Sequence, residues 1–399
     1  MKEREHLFRR HVAVTSPEPL YLRAVSASGV WITDDQGRRY LDMVAGISVS
    51  NLGHGHPAVR EAVCRQADKH LHLMVYGDFD QDPQTAYAAA LASRLPESLS
   101  QVYFVNSGSE AIEGALKTAR RYTGRYEIVT FRNAYHGSTM GALSVMGSDR
   151  YTRAYRPLVP GVRMIDFNDT AGLERITKKT ACVLVEPVQG EGGVILPEAG
   201  FLEALRRRCD ETGALLLYDE VQTGFGRLGE LFAFMKYGVV PDILVVAKAM
   251  GGGLPLGAFI SSPAILSSLT HHPPLGHITT FGGHPLSCAA GLAAWEELLS
   301  SDIMKKIPGK EKIIRKKMVH PLIREARGTG LLFAVDLPDA GLPDKLVRLA
   351  LKNGVITDWF LFREQAFRIS PPLTITDEEL EKGCDLLLET LDEIKKDVR

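Results

Sequence analysis

The stretch LLLYDEVQTGFGRLG, residues 215–229, and its successor PDILVVAKAMGGGLPLGA, residues 241–258, carry the reading of the fold. In each, an unbroken apolar run meets charge at its end, Asp219 and Glu220 in the first and Lys248 in the second. Such runs, rich in Val, Ile and Leu, are the pattern of strands covered on both faces. An aspartate closing a buried strand needs a partner, because an unpaired buried carboxylate is costly. The two carboxylates alone leave that partner open: a metal, a proton in transfer, a structural ion pair or a protonated pyridine nitrogen. Lys248 is followed by Gly251, Gly252 and Gly253, which let the backbone pass close to a bound group. A lysine so enclosed has its charged form disfavoured, as a Schiff-base lysine requires. An isolated lysine reaching from a strand end to solvent has the same letters.

Working outward, further apolar runs at residues 102–105, 127–131 and 182–185 alternate with amphipathic segments from about residue 55 to 290. That alternation predicts a mostly parallel sheet with crossover helices. Ligands of such a sheet bind beyond the C-terminal ends of its strands. There stands NSGSEA, residues 106–111, opening a helix through Ile112, Ala115 and Ala119. Small residues at a helix start leave N–H groups free to meet a phosphate, although a Ser or Asn N-cap with Glu in the first turn looks alike. The three segments together supply a phosphate seat, a pyridinium partner and an imine nitrogen. That conjunction outweighs the separate structural readings.

Both ends of the chain have a different texture. Residues 29–42 read as a hairpin turning at Asp35, Gln36 and Gly37. After about residue 300, short strands are expected at 331–335, 355–357 and 367–369, interleaved with helices. A last helix is signalled by the capping-box spacing of Thr376 and Glu379 and by Leu380, Leu387, Leu391 and Ile394 on one face. The expected division is a large domain at 55–295, with 1–54 and 296–399 forming one small α+β domain.

The 399 residues are 45% hydrophobic and 24% charged, with a net charge of -1. This balance advertises neither nucleic acid nor membrane as a partner. The charged start MKEREHLFRRHVAV is unlike a secretory leader, and no apolar run approaches the roughly eighteen residues of a spanning helix. A cytoplasmic protein is expected. Five cysteines, Cys64, Cys182, Cys209, Cys288 and Cys384, lack ligand spacing and read as buried or half-buried free thiols. His54, His56, His70 and His72 are spaced poorly for zinc, HExxH is absent, and no metal is expected. No strand leads into GxGxxG, and GxxxxGK[ST] and GxSxG are missing, so nicotinamide, P-loop and α/β-hydrolase chemistry lack their mechanics.

From GVWITDDQGRRYLDM, residues 29–43, to the last helix, the motifs stand in the order and spacing of the class III aminotransferases, which the chain resembles over nearly its whole length. The resemblance implies an α/β fold of type I, with a mostly parallel seven-stranded sheet, and pyridoxal phosphate held as a Schiff base by Lys248. It implies Gly108 and Ser109 at the phosphate, Tyr135 of NAYHGST stacked on the pyridine ring with Gly137 allowing the close approach, and Ser107 and His136 among the cofactor-binding residues. By the same resemblance Glu186 of VEPVQGEGG and Gln222 would sit near the ring, Val221 would lie on the face opposite Tyr135, and Asp219 would keep the ring nitrogen protonated. Thr280 of HITTFGGHP would reach the phosphate in a neighbouring subunit, so a homodimer with shared sites is implied.

On the substrate side, Arg368 of AFRISPPLTI matches the family arginine that clamps a carboxylate, and Glu191 the glutamate that pairs with it. Together they imply a switch between two unlike substrates, with 2-oxoglutarate as acceptor. Tyr76 of MVYGD is expected to line the donor pocket, although simple packing accounts for it as well. Ser138 stands where ornithine, acetylornithine and GABA aminotransferases carry an arginine for the donor's distal carboxylate, which leaves room for an amine with a neutral tail. The expected reaction is ping-pong amino transfer from an amine or ω-amino acid to a keto acid. A racemase or aminomutase of the same fold shares the lysine and aspartate, and differs in needing no acceptor.

Overall fold

The computed structural model describes residues 2–74 and 77–397. At its centre seven strands hydrogen-bond in the order Gln101–Val105, Gly257–Ser261, Ile243–Val246, Leu215–Asp219, Thr180–Val185, Glu127–Phe131, Val162–Ile165. Gly257–Ser261 runs antiparallel to both neighbours, and the other pairs are parallel. All five inner strands are buried at every residue, which is why Thr180–Val185, Leu215–Asp219 and Ile243–Val246 read as nearly continuous apolar runs rather than alternating ones.

Two of the seven strands carry no clear signal in the sequence. Val162–Ile165 lies at the sheet edge, partly exposed and interrupted by Arg163. Gly257–Ser261 begins on a glycine directly after the Gly-rich turn and has one bulky aromatic.

Two four-stranded sheets flank this core. One consists of Ala24–Ser28, Trp31–Asp34, Arg39–Asp42 and Val355–Ile356, the last pairing in parallel with Arg39–Asp42 through Val355 opposite Leu41. The hairpin turn closes as its sequence suggests: Gly37 has φ +80°, its N–H donates to the Asp34 carbonyl, and Asp34 N–H donates to the Arg38 carbonyl. The other sheet orders Glu325–Thr329, Leu332–Asp336, Ala366–Ile369 and Asp358–Trp359.

The final helix, Asp377–Asp397, opens with a reciprocal cap. Glu379 N–H donates to Thr376 Oγ1, and Thr376 N–H donates to the Glu379 carboxylate, both at 3.1 Å. Its Leu380, Leu387, Leu391 and Ile394 are all fully buried. No helix among the described residues is long and apolar enough to cross a membrane. All five cysteines are free thiols, but Cys64 is exposed rather than buried or half-buried. It lies on the helix Pro57–Lys69, whose inner face is formed by Val59, Ala62 and Gln66, one face away.

Glu220, next to the end of a central strand, is fully buried and caps a helix start. Its carboxylate accepts from the N–H groups of Ala233 and Phe234 and from the Thr223 hydroxyl. Burial nevertheless pushes its carboxyl up to about 7 from an ordinary 4.5. A raised folded-state value means that the protonated form is the better tenant. The associated stabilisation is full below about pH 4.5 and is lost as pH rises through about 7. Glu220→Gln should therefore flatten stability against pH across this window, by about 3 kcal/mol. Urea unfolding at both ends of the window checks this, and parallel curves for the two proteins would refute it.

Candidate active site

Six of the seven strands run the same way, and five of them release the chain at one edge of the sheet where the unusual residues collect. Asp219 ends one strand, Lys248 follows another at a two-residue distance, and Ser107 follows Gln101–Val105. Glu186 comes directly after Thr180–Val185, and Tyr135 and His136 come shortly after Glu127–Phe131. They line one cavity of about 700 Å³, together with Gly108, Ser109, Gly137, Glu191, Val221, Gln222 and Arg368.

At one end of this cavity the helix Gly108–Thr123 presents its N-terminus. Ser107 is its N-cap, its hydroxyl accepting from Glu110 N–H at 3.2 Å, so capping and cavity lining coexist in one residue. Glu110 in turn accepts from the N–H of Asn106 at 2.8 Å. Gly137 has φ +122°, and a Cβ there would lie 2.0 Å from Ser109 Oγ, so only glycine lets this loop close on the helix start. Ser109 Oγ also accepts from Ser138 N–H at 3.3 Å.

On the cavity floor Asp219 is 5% exposed, and its Oδ2 lies 2.8 Å from His136 Nδ1. Oδ1 accepts from Val221 N–H at 3.0 Å. The other ring nitrogen of His136, and the side-chain amide nitrogen of Gln222, are buried without a partner. Glu186 accepts from Tyr135 N–H and Gly190 N–H at 3.2 and 3.1 Å. Burial, and then the charge of Asp219, holds its carboxyl well above the usual range.

Lys248 is reached by a sharp turn: Ala247 is extended and Lys248 itself has φ +53°. The left-handed conformation costs a non-glycine residue on the order of 1–3 kcal/mol, and it starts the short turn Lys248–Gly251 instead of prolonging the strand. Burial holds the amine below the ordinary lysine range, the carboxylate of Glu191 opposes that, and Arg368 reinforces it.

Arg368 is 1% exposed, and its NH2 donates to Glu191 Oε1 at 2.6 Å. The guanidinium carbon lies 4.4 Å from the centre of the Phe360 ring. Nε and NH1 are buried and have no partner. Glu191 is fixed as well, its Oε2 accepting from Leu361 N–H at 3.2 Å. Behind the pair, fully buried Arg227 donates to the carbonyls of Leu331 and Pro371 and to Asn51 Oδ1, tying the segment after Arg368 to three parts of the chain.

Some expected residues stand apart. Ser138 is exposed beside the cavity, its hydroxyl 3.2 Å from the Tyr135 hydroxyl. Thr280 is exposed and does not line this chain's cavity. Tyr76 lies outside the described residues. Conversely, the cavity wall contains Ile47, Val49, Asp358, Trp359 and Leu361, which the sequence reading passed over. Asp358 has a trace in the sequence, as an acid in the otherwise apolar run ahead of Arg368. Only the pairing of Asp358 opposite Arg368 brings it to the site.

An anion seat made of a helix start and a close-packed glycine, unpartnered polar nitrogens at the floor, and an enclosed amine and carboxylate on the same cavity fit pyridoxal phosphate. The comparisons agree with this geometry. Residues 12–391 match the model of the aminotransferase class-III family, and the chain belongs to that family. It is an aminotransferase whose cofactor is pyridoxal phosphate.

Among its relatives, acetylornithine aminotransferase of Methanopyrus kandleri is 39% identical over 98% of this chain and 99% of that protein. Succinylornithine transaminase of Yersinia pseudotuberculosis is 37% identical over 93% and 92%. A solved structure of ornithine aminotransferase from Toxoplasma gondii, with partial occupancy of the cofactor at its active site, superposes with a TM-score of 0.90. It is 30% identical, covering 100% of this chain and 95% of that one.

Proposed function

We propose that this enzyme carries an amino group from an amine donor to 2-oxoglutarate by a ping-pong route, using the residues of the cavity described above. The observation that carries this reading is the contact of Arg368 with Glu191 at 2.6 Å in the cavity that Lys248 lines. A cation already neutralised tolerates an amine, and released from Glu191 it offers a planar fork with two free edges to a carboxylate. Two unlike substrates can thus share one site.

In this reading Ser107, Gly108 and Ser109 hold the phosphate at the helix start, with Gly137 permitting the close approach. Tyr135 and Val221 enclose the ring, while His136, Glu186 and Gln222 border it. Bound pyridoxal phosphate supplies an electron-accepting ring that stabilises charge left on a substrate carbon. Asp219 holds a proton on the ring nitrogen, and His136 orients its carboxylate. Lys248 anchors the cofactor and, once free, moves the proton from the substrate carbon, a task for which an amine with its charged form disfavoured is suited.

Thr280 reaches the site of a neighbouring copy in a homodimer, a reading supported by its exposure beside exposed Ile278 and Phe281. Ser138 borders the donor. The domain division 1–54, 55–295 and 296–399 is supported by the pairing of Val355 with Leu41. A cytoplasmic setting, expected from the sequence, is part of the proposal.

Incubation with a panel of amines and 2-oxoglutarate should form glutamate, measured by chromatography. Cofactor-loaded enzyme that forms none with any donor would overturn the reading. Arg368→Ala should raise KM for 2-oxoglutarate about 10- to 100-fold while moving KM for the amine far less. An equal rise for both substrates would count against the clamp.

A further inference from the structure

We infer that Asp358 is a specificity residue for the amine donor, and that the donor carries a second ammonium group, as an alkyl diamine does. This rests on the aminotransferase reading above and narrows its substrate class. Among the described residues lining the cavity, the carboxylates are Glu186, Glu191, Asp219 and Asp358, and the basic side chains are Lys248 and Arg368. Three of these acids are already accounted for. Glu191 is bound to Arg368, and Asp219 lies against His136. Glu186 accepts two backbone N–H groups and is held toward its neutral form by burial.

Asp358 is different. It lies directly opposite Arg368 in the antiparallel pair formed by Asp358–Trp359 and Ala366–Ile369, so both side chains leave the same face of the sheet. Yet the guanidinium turns to Glu191. Among the described residues the Asp358 carboxylate has no ion-pair partner, and it accepts one hydrogen bond, from Trp359 N–H at 2.9 Å. Half-buried without a counter-ion, its carboxyl is held above the ordinary range, by burial first and against the pull of Arg368.

A carboxylate left in this state is a cost that an arriving ammonium group removes. The same cavity is also lined by apolar Ile47, Val49, Trp359 and Leu361, against which a methylene chain can pack. A monoamine of equal length fills that wall but leaves Asp358 unpaired. Discrimination of about 10- to 100-fold is expected for one charge-assisted contact at a half-buried site.

The test compares matched probes, pentane-1,5-diamine with pentan-1-amine and butane-1,4-diamine with butan-1-amine. They react with the holoenzyme without keto acid, and the half-reaction is followed by the cofactor's absorbance. In parallel, calorimetry of the cofactor-free full-length chain measures binding apart from turnover. The wild type should favour each diamine about 10- to 100-fold in both measurements, and Asp358→Asn should remove the preference while keeping the monoamine rate. Parity of diamine and monoamine in the wild type overturns the inference without needing the variant, as does a preference that survives in Asp358→Asn. A variant that instead raises KM for 2-oxoglutarate and leaves the amine ratio intact assigns Asp358 to positioning Arg368, and also overturns it. Should no amine convert the cofactor at all, the aminotransferase reading itself fails and takes this inference with it.

Discussion

Lys248→Ala should lower turnover by at least about 10⁴-fold and abolish the visible absorption band of lysine-bound cofactor. The reason is that one amine is assigned two tasks, anchoring the cofactor and moving a proton, and no other lysine lines the cavity among the described residues. The fold should be unharmed. Residue 248 has φ +53°, and alanine meets the same left-handed strain as lysine, so the backbone term cancels. An amine whose charged form burial disfavours contributes little to stability by its charge. Lys248→Gly should melt slightly higher than Lys248→Ala, because glycine enters this conformation without penalty. The checks are absorption spectroscopy, the mass of the chain after borohydride reduction, and thermal unfolding. A reduced variant that still carries covalent cofactor would show that another lysine holds it.

Asp219→Asn should cost about 10²- to 10⁴-fold in the amine half-reaction while part of the cofactor stays bound. Asparagine keeps the shape of aspartate, and its amide oxygen can still meet His136 Nδ1, now 2.8 Å from the carboxylate. What disappears is the negative charge that holds a proton on the ring nitrogen. Removing His136 instead leaves that charge in place, so His136→Gln should cost markedly less than Asp219→Asn. Single-turnover absorbance measurements on both variants decide the matter. A rate for Asp219→Asn within about a factor of ten of wild type would refute the assignment.

Much of the scaffold was legible along the chain. Four of the five expected runs became interior strands, because a segment covered on both faces has to be largely apolar, and the fifth, Gln101–Val105, became a partly buried edge strand. The cap of the last helix was legible because Thr376 and Glu379 are three residues apart and act locally. Gly257–Ser261 was not, since a glycine-led strand borrows its stability from two neighbours rather than from its own residues. The Asp219 and Lys248 ends stood out because a charge closing an apolar run has no bland account that covers both at once.

By itself, then, the sequence determined the alternation of buried strands and helices and the chemical types delivered to one edge of the sheet, because burial and local capping act between near neighbours. The tertiary structure alone decided which of those groups meet. His136 reaches Asp219 across 83 residues, and Arg368 reaches Glu191 across 177. Asp358 comes to the cavity through a strand of two residues, too short to leave a periodicity. Contacts of this kind depend on the summed geometry of everything between them, and no spacing along the chain encodes that distance.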